Sequence, residues 1–325
     1  YQGWLLSDYL RGLTTNGYQL KDYPVPNSMV TIILGLQGMI VPILVAEKLL
    51  VVEILSGWGV MIFLMAQKQK YFDLTFAWLA FGLLATASCF WNGYLNFSLG
   101  ALLWCVFVYM EKQSDERHAP MNPWWITAFS IALFLCHALP YGLFVLYLLT
   151  KSPTRRLLYL VPSLFLTGWY IFGRYVLHDN IEQIALENPV AGSGILKLIA
   201  YKVYTVLKLG LFHNFLLRDG KSLLESNAAI YWTLAGLSAA TFAAIVINII
   251  WASAKAWKKN WQIAWFVGIA PFSLLLPAEI FGLVNPAERV LFLYLLYLCV
   301  HWQWHPRLNG IMRNFLIISV LIFFV

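Results

Sequence analysis

Charged residues are scarce in this chain of 325 residues. Asp, Glu, Lys and Arg together make up 11% of it, whereas hydrophobic residues make up 61% and the mean hydropathy is +0.70. Soluble domains carry about 25% charged residues, and a soluble fold could not bury this much apolar surface. The composition therefore excludes an ordinary soluble domain and predicts an all-α polytopic integral membrane protein.

Cysteine is scarce as well, and its placement excludes the common metal-binding frameworks. The four cysteines form no CxxC pair and lie within or at the edge of apolar segments. We interpret them as small hydrophobic core residues, which is the usual environment of a free thiol. They are Cys89, Cys105, Cys136 and Cys299.

Acidic residues are outnumbered, which gives a net charge of +7, but the basic residues do not form one continuous face. They occur in short clusters between apolar runs, so we expect a lipid bilayer and no nucleic acid as partner. Loops rich in Lys and Arg tend to stay cytoplasmic. We therefore place five clusters inside: Lys68 and Lys70; Lys112 and Arg117; Lys151, Arg155 and Arg156; Lys255, Lys258 and Lys259; Arg307 and Arg313.

Long apolar runs fill most of the chain, and each membrane span needs about 20 such residues. They predict a single membrane domain, 1–325, with about 8–11 transmembrane or juxtamembrane helices. Residues 1–27 are interpreted as the remnant of an outer loop, and 49–325 as a transmembrane bundle with an outer loop at 178–226. The runs are 28–46, 49–66, 72–90, 95–110, 124–150, 157–176, 201–217, 228–252, 263–284, 290–300 and 315–325.

The first and last residues indicate whether the chain is a piece of a longer protein. Tyr1 is not an initiator Met, no signal peptide opens the sequence, and Val325 falls inside an apolar run. We expect the chain to be truncated at both ends.

Two runs depart from the pattern of simple spans. Residues 28–46 and 49–66 cannot both cross if the opening loop is outside and Lys68 is inside, so we predict that 28–46 is a juxtamembrane or re-entrant helix on the outer face. The alternative is two ordinary spans with Glu47 and Lys48 inside. Residues 124–150 are long for one span and contain His137 and Pro140, which predicts two short helices.

Ionisable groups at membrane depth are candidates for function because they are costly to place there. Glu279 lies near the outer end of a run and is soon followed by Glu288 and Arg289. A Glu–Arg pair that closes a helix hairpin is one interpretation. The other is that Arg289 binds a phosphate or diphosphate, for which its planar donor fork is suited.

Histidines within apolar surroundings are the second group of candidates. His137 is either a hydrogen-bonded packing residue or a proton carrier. His301 and His305 share a helical face, which is compatible with a metal, but no third ligand of the HExxH type accompanies them. An interfacial aromatic belt explains that pair better.

Residues 90–100 combine turn chemistry with recognition chemistry. Asn92 and Gly93 are typical of a plain hairpin turn. Asn92, Tyr94 and Asn96 together offer amides for sugar hydroxyls and a ring for stacking on a sugar or prenyl unit. Both interpretations stay open.

These segments together resemble bacterial members of the GT-C superfamily, membrane glycosyltransferases that use polyprenyl-phosphate sugars. The matching pieces are Pro24 to Asn27, Ala46 to Leu49, the 91–97 loop, the His137 helix, and Glu288 with Arg289. The resemblance covers most of the chain. It implies a GT-C-like bundle and the juxtamembrane helix already expected from charge.

The resemblance also implies an activity and its parts. A sugar would pass from a polyprenyl-phosphate donor to a glycan, lipid or protein acceptor at the outer face of a bacterial inner membrane, within the cell envelope. The base would be Asp8 or a residue before Tyr1. Arg289 and His137 would face the phosphate, while Asn92, Tyr94, Asn96 and Glu279 would line the substrate cavity. Because Asn92 and Asn96 stand where many relatives carry Asp, we expect no metal or other cofactor.

Two other functions fit part of the pattern. A transporter or flippase of lipid-linked sugars would also need an aromatic cavity and an Arg near one face, but it frequently shows paired broken helices, and no such symmetry is visible here. A non-catalytic subunit of a membrane assembly would lack outer-loop carboxylates. A carboxylate just after a span preceding Tyr1 would favour the enzyme over both.

Overall fold

A computed structural model describes residues 2–13, 21–68, 77, 94–151, 157–177, 194–207, 209, 225–257, 261–277, 279–280 and 283–301 of the chain. Within these ranges the fold is helical, apart from one pair of two-residue strands. The prediction of a helical protein is thereby confirmed.

The helices are numbered here in chain order over the described ranges. They are α1 Gln2–Leu10, α2 Met29–Gly38, α3 Ile43–Gln67, α4 Leu95–Glu116, α5 Pro123–Cys136, α6 Ala138–Lys151, α7 Val161–Phe172, α8 Ile195–Leu207, α9 Ala228–Trp257, α10 Trp261–Gly268 and α11 Pro286–His301. Two 3-10 turns occupy Leu158–Leu160 and Ala270–Leu275, and α7 continues into a π-helical turn at Gly173–Leu177. Strands β1 Glu279–Ile280 and β2 Leu283–Val284 form an antiparallel pair.

The chain divides into two compact units, each described by itself below. The first comprises Tyr1–Gly57 and Tyr94–Gln183, and the second comprises Trp58–Gly93 and Ile184–Val325. Helix α3 begins in the first unit and ends in the second.

In the first unit, α1 packs closely against α2 because small residues line the contact. A Cβ added to Gly3 would lie 2.5 Å from Cβ of Leu34, and one added to Gly35 would lie 2.6 Å from Cδ2 of Leu6. Small residues at such spacing let two helix backbones approach, which favours van der Waals contact. A larger residue at Gly3 would force the two helices apart, and one at Gly35 would require the Leu6 side chain to move.

An aromatic core joins α4, α5 and α6 in the same unit. The Phe107 ring lies 4.7 Å from Phe144, 5.6 Å from Phe129 and 6.0 Å from Tyr147, each pair edge to face. Edge-to-face pairs add roughly 0.5–1.5 kcal/mol each beyond the burial of their area. This core fixes the three helices that position the candidate site.

The second unit has a smaller aromatic core between α10 and α11. The Phe266 ring lies 4.9 Å from Tyr294 and 5.0 Å from Tyr297, and all three residues are buried. The Tyr201 hydroxyl of α8 donates to Oδ1 of Asn285, and the Lys202 ammonium donates to the carbonyl of Leu276. These bonds tie α8 to the residues just before α11.

One predicted break between helices and the predicted burial of three cysteines agree with the structure. The expected break in 124–150 is confirmed, because α5 ends at Cys136 and α6 begins at Ala138. Burial of Cys105, Cys136 and Cys299 likewise confirms their interpretation as core residues, while Cys89 lies outside the described residues. The runs 72–90 and 315–325 also lie outside them, apart from Ala77.

Other helix limits differ from the prediction. The boundary expected at Glu47 and Lys48 lies inside α3, since the chain turns instead between Gly38 and Pro42. Pro42 lacks the N–H that would continue the preceding helix. A break of this kind inside an apolar run cannot be predicted from hydropathy. The run 263–284 is likewise interrupted at Pro271 and Pro277, where α10 gives way to a 3-10 turn and then to β1.

One described helix, α3, is long and apolar enough to cross a bilayer. Shorter apolar helices occur at Met29–Gly38, Pro123–Cys136, Ala138–Lys151, Ala228–Leu237 and Ala264–Leu275. Helix α2, with 10 residues, is about 15 Å long at 1.5 Å per residue and cannot span roughly 30 Å of hydrocarbon.

Candidate functional site

The first turn of α2 is capped by a side chain from another helix. The Asn96 carboxamide of α4 accepts a hydrogen bond from the Val30 N–H at 2.8 Å and donates one to the Asn27 carbonyl at 2.7 Å. Ser28, the residue at the N-cap position, makes no side-chain capping bond of its own. The first N–H groups of a helix lack intrahelical partners. Asn96, from a distant part of the chain, supplies an acceptor for one of them.

The same turn of chain is tied to the end of α5. The Ser28 N–H donates to the carbonyl of Leu135 at 2.9 Å, which satisfies one of the last carbonyls of α5. Asn27 has a φ of +74°, a left-handed conformation that asparagine tolerates. We call this meeting point of Asn27, Ser28, Asn96 and Leu135 the Asn27 junction.

His137 lies two residues beyond the Asn27 junction and forms the break between α5 and α6. Its backbone is extended, with φ −171° and ψ 140°, and its Nδ1 accepts a hydrogen bond from the Leu139 N–H at 3.1 Å. The ring is buried and meets Phe97 edge to face at 5.3 Å. The bond from Leu139 requires a lone pair on Nδ1, so His137 caps α6 as an acceptor.

A buried series of hydroxyl groups begins one helical turn after His137. The Tyr141 hydroxyl donates to Oγ of Ser163 at 3.1 Å, and Thr167 Oγ1 donates to the Ser163 carbonyl at 2.8 Å. Tyr141 and Ser163 are both buried. The Tyr141 bond links α6 to α7, whereas the Thr167 bond lies within α7.

A group of tyrosines surrounds Arg174 at the π-helical end of α7. The Arg174 guanidinium donates to the Tyr170 hydroxyl and lies 5.8 Å and 5.6 Å from the ring centroids of Tyr170 and Tyr175. The centroid of the Tyr23 ring lies 6.1 Å from that of Tyr170. The Lys21 ammonium lies over the Tyr23 ring, 5.8 Å from its centroid. Among the described residues no carboxylate pairs with Arg174. We call this set the Arg174 cluster.

Sequence reasoning missed the Arg174 cluster because Tyr23 and Arg174 are distant in the chain. The available signal was local, an arginine at the end of an apolar helix between two tyrosines. Gly173 completes the contact, since a Cβ there would lie 2.5 Å from the Tyr23 ring. Arginine over tyrosine faces is stabilised by the ring quadrupole and keeps donors for an anion.

In the second unit, Arg289 lies in the first turn of α11. Arg289 and Glu288 are each 5% exposed, and both are engaged in interactions within the protein. Asn285, just before the helix, has a φ of +50° and accepts the bond from Tyr201. An arginine beside a helix N-terminus, where N–H groups point outward, has the charge and donors to bind an anion.

The remaining predicted site residues are distributed over both units. In the first unit, Asp8 lies half-buried on α1, and Tyr94, 37% exposed, precedes α4. In the second unit, the backbone of Glu279 pairs with Val284 in the β1–β2 hairpin. Asn92 and His305 lie outside the described residues, while His301 Nδ1 lies 2.9 Å from the Tyr297 carbonyl. Of the predicted site residues, the structure thus places Asn96 in the Asn27 junction and His137 two residues beyond it, in contact with the neighbouring Phe97 ring.

No group of three or more His, Cys, Asp or Glu side chains able to hold a metal occurs in the described ranges. Comparison with protein-family models, curated protein sequences and solved structures finds no match for this chain.

Proposed function

We propose that this chain is a GT-C-like membrane glycosyltransferase that transfers a sugar from a polyprenyl-phosphate donor at the outer face of a bacterial inner membrane. The observation that carries the proposal is the Asn27 junction. Three segments that resemble the GT-C pattern meet there through hydrogen bonds. They are the loop exit at Asn27, the segment that contains Asn96, and α5, which ends just before His137.

Bare apolar side chains support the bilayer placement. In α7, Phe165, Trp169 and Phe172 are each at least 45% exposed, and in α3, Val52, Val60 and Phe63 are each more than half exposed. An exposed apolar face on either helix is costly in water and is satisfied by lipid. The predicted sidedness would place the Asn27 junction toward the outer leaflet and Lys151 toward the cytosol.

The proposed reaction needs a base and a cation. The acceptor hydroxyl oxygen bonds to the anomeric carbon while the bond from that carbon to the phosphate oxygen breaks. The hydroxyl proton passes to a carboxylate, and the polyprenyl phosphate leaves with the electron pair. Asp8 is the proposed base.

Each unit offers one arginine as a candidate for stabilising the leaving phosphate. Arg289 is the candidate from sequence, and its burial would strengthen any interaction with an anion. In the first unit the alternative candidate is Arg174, whose cluster includes Tyr23, just before the Asn27 junction in the chain. For comparison, one positioned hydrogen-bond donor at a developing negative charge typically contributes about 10²–10³ to a rate.

Purified protein in lipid nanodiscs, incubated with polyprenyl-phosphate sugars labelled in the sugar, tests the proposal. We expect the label to leave the prenyl lipid and appear on an added extract of cell-envelope glycans, lipids or proteins, with stoichiometric polyprenyl phosphate. Heat-treated protein is the control. If a panel of donors stays intact but crosses the bilayer of proteoliposomes, the protein is a flippase. If neither occurs, the proposal fails and the subunit alternative is favoured.

A further inference from the structure

Helix α8 differs from the other described helices in being strongly one-sided. Ile195, Ile199 and Val203 recur every four residues and therefore form one stripe, with Leu196 beside it. Leu196 is 84% exposed, and Ile199 and Val203 are 54% exposed. The apolar stripe is thus bare of protein.

A second side of α8 faces the protein. Thr205 is 3% exposed, and Tyr201, four residues earlier, donates to Asn285. Lys202, seven residues after Ile195, lies at the border between this side and the stripe and donates to the carbonyl of Leu276. These contacts fix the rotation of α8 about its axis, so its bare stripe has a defined direction.

A third side of α8 is polar. Lys197 is exposed and Tyr204 is half-buried, and residues seven apart lie on the same face of a helix. Lysine beside an apolar stripe complements anionic lipid headgroups, and tyrosine rings favour the headgroup level. Three sides with three different partners are typical of a helix that lies in a membrane interface.

The length of α8 excludes a span. Its 13 residues extend about 20 Å, less than the roughly 30 Å of hydrocarbon in a bilayer. We infer that α8 lies parallel to the membrane in the lipid headgroup region, with its Ile199 stripe in contact with acyl chains and Lys197 in contact with anionic headgroups. This inference rests on the bilayer placement in the proposed function.

Spin labels on the full chain test this orientation. Single cysteines replace Ile199, Lys197 and, in α3, Val60, in a variant whose native cysteines are serines, reconstituted in nanodiscs of phosphatidylethanolamine and phosphatidylglycerol. All three positions are exposed, so the labels perturb little packing. Collision with oxygen reports contact with lipid, and collision with a water-soluble nickel chelate reports contact with water.

The expected result is a graded one. The label at Ile199 should prefer oxygen at a shallow depth of roughly 5–10 Å below the headgroups, which is typical of interfacial helices. The label at Lys197 should prefer nickel, and the label at Val60 should prefer oxygen at greater depth.

Three results at Ile199 would overturn the inference while leaving the proposed function standing, provided that Val60 stays in lipid. They are a depth equal to that of Val60, nickel access equal to that of Lys197, or shielding from both reagents by a second protein surface. If Val60 itself is as accessible to nickel as Lys197, both the inference and the bilayer placement fail.

Discussion

The carboxamide of Asn96 bonds the chain on both sides of the bend at Asn27. Its Nδ2 donates to the Asn27 carbonyl at 2.7 Å, while its Oδ1 accepts from the Val30 N–H at 2.8 Å. One side chain therefore both supports a left-handed residue and caps the helix that follows. An aspartate could accept from Val30 but could not donate to Asn27.

Asn96→Ala should therefore destabilise the protein by about 1–2 kcal/mol, since it removes a cap and a second hydrogen bond. Asn96→Asp should recover only part of that loss. The matched control is Asn122→Ala, because the Asn122 side chain caps α5 through the Trp124 N–H and makes no second bond to the described residues. Thermal unfolding in detergent measures all three, and equal losses for Asn96→Ala and Asn122→Ala would contradict the double role.

His137 is expected to act as a cap and not as a proton carrier. His137→Asn places an acceptor oxygen where Nδ1 accepts from Leu139 and should retain stability and sugar transfer to within a few-fold. His137→Leu lacks the acceptor and should lose about 1 kcal/mol of stability. Unfolding and transfer assays on the same samples separate the two roles. A His137→Asn variant that is folded but inactive would show that the imidazole takes part in the reaction.

Arg289→Ala is predicted to abolish sugar transfer while the protein stays folded and inserted. Arg289→Lys keeps the charge but loses the planar donor fork and should lower kcat by tenfold or more. Arg174→Lys is the companion variant, because Arg174 lies on a more exposed surface and its loss should raise the KM for the donor more than it lowers kcat. Normal turnover in Arg289→Lys and Arg289→Ala would remove this residue from the mechanism.

Lys151 makes an ion pair that the sequence did not reveal. Its ammonium lies 3.1 Å from Oε1 of Glu111, a side chain that is 1% exposed, and 2.7 Å from Oδ2 of Asp115. Lys151→Met would leave the Glu111 carboxylate without this cation and should cost about 3–5 kcal/mol.

The double variant Lys151→Met with Glu111→Gln should recover most of the stability lost on Lys151→Met. The control is Lys112→Ala, whose pair with the exposed Glu116 at 3.9 Å should contribute less than about 1 kcal/mol. Chemical or thermal unfolding measures both. Equal effects for Lys151→Met and Lys112→Ala would mean that burial of the pair has no energetic consequence.

The sequence predicted what depends on local pattern. Apolar periodicity and composition gave the helical class, and His137 with Pro140 marked the break between α5 and α6. The turn before α3 was predicted at Glu47 and Lys48, because these are the charged residues in that part of the chain. The observed turn, between Gly38 and Pro42, lies within a continuous apolar run, so hydropathy alone does not reveal it.

Contacts between distant segments were beyond local pattern. Asn96 was singled out as a substrate-binding amide, and its bonds to Asn27 and Val30 depend on how α4 packs beside α2. The Arg174 cluster and the pairing of Lys151 with Glu111 likewise require the tertiary fold. Residue type indicated which side chains are unusual, and packing decided what they contact.

The sidedness of α4 is the most direct test that the chain spans a bilayer with the Asn27 junction outside. Asp22 and Ala119 are exposed and lie at the two ends that the prediction separates across the membrane. Each is replaced by a single cysteine in the cysteine-free variant and treated with a membrane-impermeant maleimide. The account predicts that Asp22→Cys reacts in intact spheroplasts and that Ala119→Cys reacts only after lysis. Equal reaction of both positions before lysis would contradict it.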